Sequence, residues 1–168
     1  CIRDSLHWDL PVTITVSQNT LREIQVGLDS ELDNQAADLV KATVARWFSL
    51  KWNPVPAIKI ARSIDASIAE YLESGGGRFL RGSTFYEDFA KTVCTINISW
   101  TGTQRLVNGL VNKIGNGFFP TPSQVISAGQ DTLMNEVRMG FRSRVFYEAT
   151  QRLIDSGLID LSGNNLSL

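Results

Sequence analysis

Apolar and polar residues alternate over Val12, Ile14 and Val16, with Thr13 and Thr15 between them. They alternate again over Ile24, Val26 and Leu28, with Glu23, Gln25 and Gly27 interposed. A period of two is that of a half-buried strand. The polar run Ser17-Gln18-Asn19-Thr20 lies between the two stretches, so they are expected to pair as a hairpin. Val40, Ala42 and Val44, then Phe48, Leu50 and Trp52, read as further strand. Arg46 interrupts that rhythm, and a helix over Asp38 to Ser49 is the alternative. Asn53-Pro54-Val55-Pro56 is a breaker. Beyond it Ile60, Ile64, Ile68, Tyr71 and Leu72 recur at helical spacing and predict one helix. It should end at Gly75-Gly76-Gly77, where glycine supplies a left-handed cap and a flexible joint. The main boundary is placed there, with a β-rich subdomain carrying one helix over 1–76 and a helical part over 77–168.

From Arg78 onward the pattern is helical throughout, and five helices are expected. Thr84 and Glu87 form a capping box, with Phe85, Phe89, Val93 and Ile96 as the apolar face behind it. Leu106, Val107, Leu110, Val111 and Ile114 mark the next helix, which closes at Gly115. Thr121-Pro122 reads as an N-cap with proline at the first helical position, and the short helix it opens runs to Ala128-Gly129. Asp131 is expected to cap another, with Leu133, Met134 and Val137 inward and Gly140 at its end. A last helix spans about Ser143 to Ser156. The fold class is therefore α+β: an antiparallel β-sheet, then a mainly helical core.

Composition narrows the function classes. Hydrophobic residues make up 43% and charged residues 20% of 168, enough apolar material for a real core. No apolar run nears the roughly 20 residues that span a bilayer. Cys1 and Cys94 match no metal or redox spacing, and a cytosolic or nuclear compartment fits them best. The single histidine, His7, cannot build a zinc site alone and reads as an ordinary loop or strand residue. Net charge is −1, but from Gly76 onward there are nine Lys/Arg against seven Asp/Glu, so the second half is slightly basic. An enzyme that grips DNA through backbone amides and a few arginines need not be basic overall.

Several short motifs of the second half occur together in one order. Gly77-Arg78-Phe79-Leu80-Arg81 followed by Thr84-Phe85-Tyr86-Glu87-Asp88-Phe89 resembles the start of the helix-hairpin-helix DNA glycosylase core, where "G-x-R-x-L-R" leads into a capped helix. Val93-Cys94-Thr95-Ile96-Asn97 resembles "I-C-S-S-N" of the 8-oxoguanine branch. Phe119-Pro120-Thr121-Pro122 is similar to "F-P-T-P", and Met139-Gly140-Phe141-Arg142-Ser143-Arg144 to "L-G-Y-R-A-R". Gly157-Leu158-Ile159-Asp160-Leu161 is similar to "G-x-L-x-L". The likeness covers Gly77 to Leu161, and its branches closest in motif handle 8-oxoguanine and 3-methyladenine.

The resemblance implies a base-excision repair enzyme that flips a damaged base out of duplex DNA and removes it. Extrusion costs a few kcal/mol, so something must fill the gap and hold the orphaned partner base. The resemblance gives Phe141 the wedge, and gives Arg142 and Asn97 the partner-base contacts. A flat apolar ring, a planar fork of donors and an amide with donor and acceptor suit those tasks. Gly102 stands near where a cytosine-reading branch carries arginine. Trp100 reads as core in preference to a stacking surface. The family's hairpin, of the form L-P-G-(I/V)-G, and the catalytic aspartate beyond it are absent. The 168 residues, cut at both ends on this reading, are therefore expected to be an inactive part of a glycosylase. No catalytic residue, metal or cofactor is assigned. The expected partner is double-stranded DNA with a damaged base, engaged by a monomer. The alternative is a non-catalytic DNA-binding module of the same fold.

Overall fold

The computed structural model describes residues 13–20 and 23–164; His7 and Val12 lie outside them. The first two elements form the expected hairpin. β1 (Ile14–Thr20) pairs antiparallel with β2 (Glu23–Leu28), Ile14 opposite Leu28 and Val16 opposite Val26. The register shifts between Gln18 and Thr20. Ile14 is buried, whereas Val16, Ile24 and Val26 are half-buried, as one covered face of a two-stranded ribbon requires.

The chain divides into two compact units, 32–82 and the hairpin with everything from Ser83. The joint expected at Gly75–Gly77 thus falls inside the first unit, and the hairpin groups with the later helices.

Within 32–82 the segment read as strand is a helix, α1 (Asn34–Trp47). Asp33 caps it, its carboxylate accepting from Ala36 N at 2.7 Å. Val40, Thr43, Val44 and Trp47 are its buried positions, a spacing of three and four that outweighs the alternation of Val40, Ala42 and Val44. Arg46, which broke the alternation, lies off that stripe and donates from Nε to the Gly82 carbonyl at 2.9 Å. The single helix expected after the prolines is two, α2 (Val55–Ile64) and α3 (Ala66–Glu73). Asp65 divides them. Its backbone is extended, at φ −153° and ψ 118°, and its side chain caps α3 by accepting from Ser67 N. An aspartate that can cap competes with helix continuation, and the apolar spacing alone does not register that.

The unit from Ser83 holds α4 (Phe85–Cys94), α5 (Trp100–Lys113), α6 (Pro122–Asn135) and α7 (Arg142–Asp155). Thr84 accepts from Glu87 N, and Glu87 reaches back to Ser83 N at 2.7 Å, so the polar start of α4 is closed from both sides. The buried face of α4 is Tyr86, Ala90, Val93 and Cys94; Phe85 and Phe89 pack at its margin. Ile96 lies past the helix end and is exposed. These residues join Leu106, Leu110, Val125, Leu133, Met139, Phe146 and Ile159 in one core. Inside it Thr150 donates to the Phe146 carbonyl, so the Tyr86 hydroxyl donates to Thr150 Oγ1 at 2.8 Å.

α6 opens with the expected Thr121 cap, completed by Gln124. Gly129, at φ 76° and ψ 166°, is not helical and divides α6 into the two helices expected there, the first ending at Gly129 as expected; Asp131 lies inside the second and does not cap it. The link from α5 to α6 depends on Gly115. A Cβ there would lie 1.8 Å from the Phe118 carbonyl oxygen, which only a glycine avoids.

Candidate functional site

Two turns of the second unit carry the residues singled out by sequence. The first precedes α7. Val137 and Met139 are buried, and between and after them Arg138 and Gly140 adopt left-handed backbone, at φ 62° and φ 60°. Met139 N donates to the Leu133 carbonyl at 3.0 Å and Ser143 N to the Gly140 carbonyl at 3.1 Å. Two buried anchors and a reversal of hand leave the next residue nowhere to go but outward. Phe141 is 66% exposed at the start of α7, so it does not pack on the preceding helix. A large ring held in water by a pinned backbone is not a folding requirement, because burial would stabilise it by about 2 kcal/mol.

The second turn joins α4 to α5. Thr95 hydroxyl donates to Thr92 O, and the Ser99 side chain caps α5 by accepting from Gly102 N. Thr103 donates to the Cys94 carbonyl. Asn97, at the apex, is exposed with φ 46°, a conformation that asparagine tolerates better than most residues. Among the described residues its side-chain amide has no hydrogen-bond partner.

Arg142 joins the two turns. Its Nε donates to the Ile96 carbonyl at 3.0 Å and Nη2 donates to the same oxygen and to the Asn97 carbonyl, the latter at 3.1 Å. The guanidinium carbon lies 4.4 Å from the Phe141 ring centroid. All three expected site residues are thus brought together, but not in equal postures. Asn97 and Phe141 face solvent, whereas Arg142 is only 8% exposed and its Nε and Nη2 are engaged by backbone. Sequence gave no sign of this, since the acceptors are main-chain oxygens. Beneath the turn, burial pushes the Cys94 thiol up to about 11, opposed by the Arg142 charge.

Two exposed side chains of these turns were missed. Trp100, expected in the core, is 71% exposed at the first residue of α5, directly after the Asn97 turn. Arg138 is an exposed cation three residues before Phe141. Three carboxylates of the unit are engaged elsewhere. Glu87 pairs with Lys91, and Glu148 is held below the usual carboxylate range by the hydrogen bond and charge of Arg144. Burial pushes the Asp160 carboxyl up, but bonds from Asn164, Ser162 and Gly163 outweigh it and leave it low. Among the described residues no cluster of His, Cys, Asp or Glu could hold a metal ion, and no helix is long and apolar enough to cross a membrane.

The fold of this chain, a two-stranded antiparallel sheet followed by helices, is shared with solved DNA glycosylases. The chain is similar to the 3-methyladenine DNA-glycosylase from Archaeoglobus fulgidus, at 20% identity and a TM-score of 0.65, over 89% of this chain and 55% of that one. It is similar also to MBOgg1 in complex with a low-affinity DNA ligand, at 20% identity and a TM-score of 0.61, over 88% of this chain and 51% of that one. The chain therefore spans about half the length of the solved structures it matches. No family model matches the sequence, and no curated protein does.

Proposed function

We propose that this chain supplies the duplex-opening surface of a DNA N-glycosylase of base-excision repair. The observation that carries the reading is Phe141, held in solvent against the same arginine that holds the turn of Asn97, whose side-chain amide is unpartnered among the described residues, on a glycosylase-like fold. Phe141 enters the stack as a base is extruded, and Asn97 meets the orphaned partner base. Trp100 and Arg138 border the same two turns and suit stacking and phosphate contact. The enzyme acts as a monomer on duplex DNA with a damaged base, in a cytoplasm or nucleus. Hydrolysis of the glycosidic bond needs a carboxylate facing the sugar. We assign none here; Glu87, Glu148 and Asp160 are tied to partners within the fold.

Equilibrium binding to labelled duplexes tests this. A duplex with an abasic-site analogue has already lost the base that must leave, so it should bind about tenfold or more tightly than the intact duplex. Phe141→Ala should remove that preference while leaving binding to intact DNA unchanged. Equal affinity of the wild type for both duplexes would overturn the reading.

A further inference from the structure

We propose that Arg142 is a positioning residue, and that this surface reads the partner base through Asn97 alone and so discriminates weakly among partner bases. The inference rests on the duplex-opening reading above and departs from the partner-base contact that resemblance implies for Arg142.

The argument begins with what the fork touches. Nε of Arg142 donates to the Ile96 carbonyl and Nη2 to the Ile96 and Asn97 carbonyls, and the residue is 8% exposed. Hydrogen bonds from a charged donor to two adjacent carbonyls fix the orientation of the peptide between them. That peptide leads into a non-glycine residue at φ 46°, a conformation a free loop would leave readily. The other face of the guanidinium lies against Phe141. One side chain therefore sets both the aim of the Asn97 amide and the stance of the ring. Withdrawing it to reach a base would release the two groups that must be in place when the base arrives.

The rest of the Asn97 turn offers nothing further for reading a base edge. Thr95 and Ser99 have their hydroxyls in bonds to their own turn and helix. Ile98 is apolar. Gly102 has no side chain, and a Cβ there would lie 2.4 Å from Ile98 Cγ1, so Ile98 occupies the space a longer residue would enter. One amide, with a donor and an acceptor that swap on rotation, satisfies any of the four partner bases.

The test uses the full chain and duplexes in which an abasic analogue faces A, C, G or T. Wild-type affinities should agree within about threefold across the four. Arg142→Ala and Arg142→Lys should each lose about tenfold against all four alike, because a single ammonium cannot hold two carbonyls in one plane. Adding Asn97→Ala to either should cost little more, since the amide is already misaimed. Selective loss opposite one base, or additive losses, would overturn the inference. Asn97→Ala with Arg142 intact gives an arm independent of folding in the arginine variants: any residual partner preference should vanish, and its persistence would return reading to Arg142. Failure of the wild type to favour abasic over intact duplex would instead bring down the parent reading, so the two failures are distinct.

Discussion

Phe141 and Asn97 are kept in water by backbone, and the residues behind them show how. Met139 and Val137 are buried so that Phe141 cannot be, and Cys94 lies under the Asn97 turn with its thiol pushed up to about 11 by burial. A raised thiol pKa stabilises the fold fully below the ordinary value of 9, and that contribution is lost as pH climbs through about 11. The expected outcome is that urea midpoints of wild type and Cys94→Ala converge between about pH 8 and about pH 10.5. A gap that stays constant would mean that Cys94 ionises in the folded chain as readily as in the unfolded one.

Elements form where local chemistry and apolar period agree, and they go astray where the two part. The caps at Thr84 and Thr121 were legible because a side chain states the boundary, although the reciprocal box expected at Thr84 closes instead at Thr121, where Gln124 completes it. Val40 to Trp52 was not, since β-branched residues two apart imitate a strand and the deciding cap, Asp33, sits outside the alternation. The break at Asp65 was missed for a similar reason. At the site, residue types marked Phe141 and Asn97, but no pattern could show that Arg142 would turn to main-chain oxygens 45 and 46 residues earlier. Gly115 states the element-scale prediction. Gly115→Ala forces a Cβ into the Phe118 carbonyl, so it should destabilise the unit by about 3 kcal/mol, read from urea unfolding. A loss under about 1 kcal/mol would mean that the α5–α6 link repacks freely.

For the molecule as a whole, the glycosylase-like fold supplies a rigid helical core on which two turns from distant parts of the sequence meet. Neither turn could be fixed by itself, because each is four or five residues of mostly polar chain. The central claim is that the meeting point enters duplex DNA. It is tested most directly by 2-aminopurine placed next to an abasic analogue in the same strand, whose fluorescence rises when an inserted ring opens the stack at that step. The account predicts a rise when wild type binds and none when Phe141→Ala binds at saturation. Equal rises for both proteins, or binding with no rise at all, would contradict it.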